Sequence, residues 1–67
     1  MKCRLVLVPG DEVREYEGTP GDTYEKALLG LGINPDTVLI LLNKKSIPQD
    51  AEIKEEVVEI LSTCSRG

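Results

Sequence analysis

The sequence predicts an α+β domain, a mixed sheet of four to five strands with one helix packed across one face. Three observations carry that expectation. Segments of period two stand near both ends of the chain, at residues 2–8 and 57–61. One stretch of helical period, Tyr24, Ala27, Leu28 and Leu31, lies between them. The most apolar run, Val38-Leu39-Ile40-Leu41-Leu42, is short and continuous, as in a strand whose faces are covered.

In the first segment Cys3, Leu5 and Leu7 share one side, while Lys2, Arg4, Val6 and Val8 share the other. Pro9-Gly10-Asp11-Glu12 is a turn by composition. A second strand over 13–17 pairs back as a hairpin, and its charges (Arg14, Glu15, Glu17) suit an exposed sheet edge. Val13 and Tyr16 cannot both face the core of a regular strand, so its register is open. Gly18-Thr19-Pro20-Gly21 is a loop, after which Asp22 or Thr23 caps a helix of about ten residues. Glu25, three after Asp22, completes a capping-box spacing, Gly30 weakens the last turn and Gly32 terminates it.

If Val38, Ile40 and Leu42 meet the helix, Leu39 and Leu41 are left on the open face. Asn43-Lys44-Lys45-Ser46 reads as a turn, Ile47-Pro48 as a short extension, and 49–56 as a polar connection anchored by Ile53. In the last strand Val58 and Ile60 alternate with Glu59 and Leu61. With the first and last strands central and parallel, this element order is that of the β-grasp fold of ubiquitin. The domain spans 1–62, and 63–67 form a flexible tail.

Sixty-seven residues make one domain. A chain of that size buries only about 60% of the surface its unfolded form exposes, so the core is small. Two tyrosines are the only aromatics, which makes that core aliphatic. Eight Lys+Arg against twelve Asp+Glu give a formal charge of −4. Nucleic acid is thereby a poor direct partner, because phosphate binding needs a basic patch. A positively charged protein surface is a better one. No apolar run nears the roughly 18 residues of a membrane span. Residues 1–8 lack the longer apolar region and cleavage site of a signal peptide, so a cytoplasmic location without membrane contact is expected.

Cys3 and Cys64 fall at opposite ends of parallel neighbours, roughly 20 Å apart at ~3.3 Å per residue. That is beyond a disulfide's reach, and two free thiols are expected. With no histidine in the chain, a metal site lacks ligands. The carboxylates Glu12, Glu15, Glu17, Glu52, Glu55, Glu56 and Glu59 read as a solvated acidic surface, and Lys44 and Lys45 as a solvated turn. No carboxylate pair, histidine or Gly-rich phosphate loop marks a self-contained active site. The chain is read as a carrier or substrate, with no bound cofactor.

Several segments taken together resemble the small sulfur-carrier branch of the ubiquitin-like proteins, the ThiS, MoaD, TtuB and small archaeal modifier proteins. They are Leu31-Gly32-Ile33-Asn34-Pro35-Asp36-Thr37-Val38, Asn43 through Pro48 with Ile47-Pro48-Gln49-Asp50 in the place of a Val-Pro-x-Asp, and Val58-Glu59-Ile60-Leu61-Ser62. The resemblance implies that an E1-like enzyme uses ATP to adenylate the terminal carboxylate. The product then receives sulfur as a thiocarboxylate or passes to a lysine as an isopeptide. Sulfur-accepting enzymes or conjugated target proteins are the implied further partners. That chemistry asks for glycine last, because an unbranched α-carbon leaves the activated carbonyl open, and Gly67 meets the requirement.

The family's usual ending is Gly-Gly, whereas here Arg66 precedes Gly67 and places a long cation where a narrow channel expects no side chain. Cys64, Ser65 and Arg66 form the tail that carries Gly67, and Cys64 reads as a spectator thiol. Val6, Leu39, Leu41 and Leu61 form an apolar patch on the face away from the helix, a docking surface for the activating enzyme. The competing readings are a tail that merely frays, an interaction module that binds through the same face, and the small subunit of a synthase complex.

Overall fold

The computed structural model describes residues 1–8 and 10–63. Among them five strands form one mixed sheet in the order β2-β1-β5-β3-β4. These are β1 (Lys2–Val8), β2 (Glu12–Glu17), β3 (Val38–Leu42), β4 (Lys45–Ile47) and β5 (Val57–Ser62). The helix α1 (Tyr24–Gly30) packs on one face, and a 3-10 turn (Pro35–Thr37) leads into β3. β1 and β5 are parallel and central, with Leu5 opposite Val58 and Leu7 opposite Ile60. The expected β-grasp architecture is the one observed.

Period two explains the core directly. Cys3 and Leu5 of β1, Ile40 of β3, and Val58 and Ile60 of β5 all point to the helix side and are buried. Tyr24, Ala27 and Leu28 meet them from α1, and Ile53 closes the end of the cluster from the connection before β5. Full burial of a leucine such as Leu5 or Leu28 contributes about 1.5–3 kcal/mol. In a chain this small, a few such side chains decide whether it folds. Cys3 is a free thiol inside this cluster, and burial, with the nearby charge of Glu55, pushes its pKa up. It is a packing residue, poorly suited to nucleophilic work.

The register of β2, open from sequence, is settled by a polar contact. Tyr16 lies opposite Cys3 and turns to the helix side, whereas Val13 lies opposite Val6 on the open face. Val13 is 49% exposed. Tyr16 prevails because its hydroxyl donates to Asp22 Oδ2 at 2.6 Å. Asp22, buried between the end of β2 and the start of α1, also accepts from the Thr19 backbone N–H at 3.0 Å and from Lys26 Nζ at 3.2 Å. It is therefore the knot of the loop, and the capping-box reading of Asp22 and Glu25 is corrected. Thr23 is the N-cap, its side chain accepting from the Lys26 backbone N–H at 3.2 Å.

The helix is seven residues long, shorter than the ten expected. It stops early because its C-terminus closes into a Schellman-type cap. The Ile33 N–H donates to the Leu28 carbonyl at 2.8 Å and the Gly32 N–H to the Leu29 carbonyl at 3.1 Å. Gly32 turns the chain at φ +80, which an L side chain resists. Gly32→Ala is expected to cost about 1 kcal/mol by urea unfolding; an unchanged midpoint would remove this cap from the account. The β3–β4 hairpin turns on Asn43 and Lys44 at φ 53 and 69, two residues rather than the four expected, so Lys45 and Ser46 belong to β4. The helix is neither long nor apolar enough to cross a membrane.

Candidate functional site

The face opposite α1 has no covering layer among the described residues, and the strand registers fix its layout. In one row Val13, Val6, Glu59, Leu41 and Ser46 lie side by side across β2, β1, β5, β3 and β4. In the next row Val8, Leu61 and Leu39 are adjacent. Arg4 lies opposite Val57, one row further from the end of β5, and pairs with Glu15 at 3.7 Å. The face thus grades from charged, at the start of β1, to apolar, where β5 ends.

Leu39 and Leu61 of the sequence-derived patch are direct cross-strand partners. Val6 and Leu41 flank β5 from either side, about 10 Å apart at two strand spacings, with Glu59 between them. Leu39 is exposed, and Val6, Leu41 and Leu61 are half-buried. Sequence reasoning left out Val8 and Val57, although alternation with Val6 and with Glu59 already placed both on this face. It also placed Glu59 among the solvated carboxylates, because its apolar cross-strand neighbours Val6 and Leu41 come from other strands.

The end of β5 is anchored by a second constellation. The Asn34 side chain accepts from the Asp36 N–H at 2.9 Å, and Pro35, with φ preset, opens the 3-10 turn. This turn presents the Thr37 carbonyl to Thr63, whose N–H donates at 2.9 Å and whose hydroxyl donates at 3.0 Å. Thr63 is thereby held beside Val38, which pairs with Ser62. The sequence signal was the Asn-Pro-Asp cap, but its partner 26 residues away was not legible. Cys64, Ser65, Arg66 and Gly67 lie outside the described residues. Thr63, the last described residue, stands at the end of the sheet where Leu39, Leu61 and Val8 are adjacent.

Among the described residues no group of three or more Cys, Asp or Glu side chains is placed to hold a metal ion. Among the described residues Asp22 is the carboxylate whose pKa is clearly displaced, well below the usual range. The Tyr16 hydroxyl is the main cause, followed by the Thr19 N–H, with burial opposing and Lys26 assisting. Its partners Tyr16, Thr19 and Lys26 join the end of β2 to the start of α1, so the group serves the fold.

Set against known families, the chain matches the sequence model of the family described as small archaeal modifier protein 2, over residues 1–63. The matched span ends on the anchored Thr63. A search of curated proteins finds no significant match.

Proposed function

We propose, from the fact that this chain belongs to the small archaeal modifier protein 2 family of ubiquitin-like β-grasp proteins, that it is activated at the carboxylate of Gly67 by an E1-like adenylating enzyme. The carboxylate attacks the α-phosphorus of ATP and pyrophosphate leaves, giving an acyl-adenylate. Hydrosulfide then displaces AMP to give a thiocarboxylate, or a lysine amine displaces it to give an isopeptide. The nucleotide belongs to the activating enzyme, and the chain itself is the substrate. Its cytoplasmic placement follows from the partner's need for ATP.

One observation supports this reading above the others. The apolar row Val8, Leu61 and Leu39 and the anchored root at Thr63 share one end of the sheet. A partner seated on the face would meet the chain at Thr63, with four residues from there to Gly67. Four extended residues span at most about 14 Å. Arg66 then requires a channel that accepts a long cation beside Gly67.

ATP–pyrophosphate exchange catalysed by the E1-like enzyme of the same organism tests the proposal. Exchange is expected to depend on added chain, and Leu39→Asp or Leu61→Asp to raise KM about tenfold or more. An exchange rate indifferent to the chain overturns it in favour of an interaction module with an inert tail.

A further inference from the structure

We propose that Glu59 is the specificity-determining residue of the open face: it selects a partner whose apolar surface carries an arginine or lysine at its centre, and it rejects a second copy of this chain. This rests on the docking face of the proposed function and adds to it the chemistry of the surface that fits.

Glu59 stands where an apolar residue would be expected. Val6 and Leu41 are its cross-strand neighbours, and Val57 and Leu61 flank it along β5 on the same face. Of the diagonal positions Val8 and Leu39 are apolar, and Arg4, on the charged side of the face, is paired with Glu15 and not with Glu59. A surface glutamate surrounded by water needs no explanation, but this one sits inside the patch that any docked protein would cover. The open face's other carboxylates have cations to hand: Glu15 pairs with Arg4 at 3.7 Å and Glu17 lies opposite Lys2. Glu59 forms no ion pair among the described residues.

Covering this face with an apolar surface strips water from the Glu59 carboxylate, a cost that only a cation or several donors can offset. A partner with a central guanidinium or ammonium gains a desolvated, directional contact, and mismatched partners lose several-fold to a thousandfold in affinity. A second copy is the worst match. A two-fold dimer through this face would bring two Glu59 carboxylates close to the axis, both desolvated and of like charge. The chain's net charge of −4 adds to the repulsion. The apolar patch is thus kept from pairing with itself while it stays open to a cationic partner.

The test uses the full chain in two assays. By analytical ultracentrifugation the wild type is expected to sediment as a monomer and Glu59→Leu as a concentration-dependent dimer. In pyrophosphate exchange with the E1-like enzyme, Glu59→Gln is expected to raise KM about tenfold with kcat little changed, and to flatten the salt dependence of kcat/KM. Glu59→Lys should raise KM about a hundredfold, with unfolding midpoints confirming that the exposed substitutions leave the fold intact. A wild-type dimer, or a Glu59→Leu monomer, overturns the inference whatever the enzyme does. KM raised by Leu61→Asp but not by Glu59→Gln overturns the inference alone and leaves the proposed function standing. If neither substitution moves KM, the docking face of the proposed function fails with it.

Discussion

If the chain is activated as proposed, removing Gly67 or replacing it with valine is expected to lower the rate of loading by more than about a hundredfold, because the reacting carbonyl is either displaced or shielded by a branched neighbour. The shortened chain is expected still to dock, since the sheet face and the Thr37–Thr63 anchor are untouched. Its predicted behaviour is therefore that of a competitive inhibitor of the intact chain, with an inhibition constant near the intact chain's KM. Arg66→Gly separates the tail's two contributions. It leaves Gly67 in place and changes only the side chain that the partner's channel must accept, so its effect is expected in KM more than in kcat. A shortened chain that neither loads nor competes would mean that the tail, and not the sheet, carries the docking.

Gly18→Ala is expected to destabilise the fold, because position 18 has no room for a side chain. A Cβ at position 18 would overlap Asp22 Oδ2 and come within 2.5 Å of Tyr16 Cε2, so it would part the contact between them. The expected loss is about 1–3 kcal/mol by urea unfolding, as for overpacking elsewhere. Asp22→Asn attacks the same knot by charge. The folded state holds the Asp22 carboxyl well below its ordinary range, chiefly through the Tyr16 hydroxyl. A depressed folded pKa gives stability that is present above the unfolded value, about 3.9, and is lost as pH falls toward the folded one. Wild-type stability should therefore decline progressively as pH falls below about 4. The Asp22→Asn protein should be weaker at neutral pH and lack this decline. Parallel acid limbs in the two proteins would show that Asp22 is not the group that matters. The Tyr16 pKa, raised by its bond to Asp22 and then by burial, belongs to the opposite limb. That contribution is present below the tyrosine's ordinary value, about 10, and is lost at higher pH.

What the sequence disclosed and what it withheld divide along one physical line. Faces set by alternation or by a single helical stripe were readable: Leu5 inward against Leu39 outward, Tyr24 with Ala27 and Leu28, and Ile53 as the anchor of its connection. So was the central parallel pair of strands, because one helix and four or five strands leave few ways to cover a single core. Contacts between residues distant in the chain were not readable. Nothing local shows that Tyr16 will win the inner face of β2 by finding Asp22, or that Asp22 will leave the helix cap to Thr23. The helix also ended earlier than its stripe, at a cap built by Gly32 and Ile33. On the open face, Glu59 is flanked across the strands by Val6 and Leu41, and those neighbours emerge only from the register. The same holds for Thr63, fixed by a carbonyl that the Asn34-Pro35 turn presents.

The central claim, that the chain carries chemistry on its final carboxylate, is tested most directly by intact-mass and terminal-peptide mass spectrometry. The full chain is incubated with the E1-like enzyme of its own organism, ATP and a sulfur donor. Replacement of one oxygen by sulfur is predicted to add about 16 mass units to the peptide ending in Gly67, and with lysine-bearing targets the same peptide should appear joined through an isopeptide. A terminal peptide of unaltered mass in both reactions, with the enzyme shown to be active, would contradict the account.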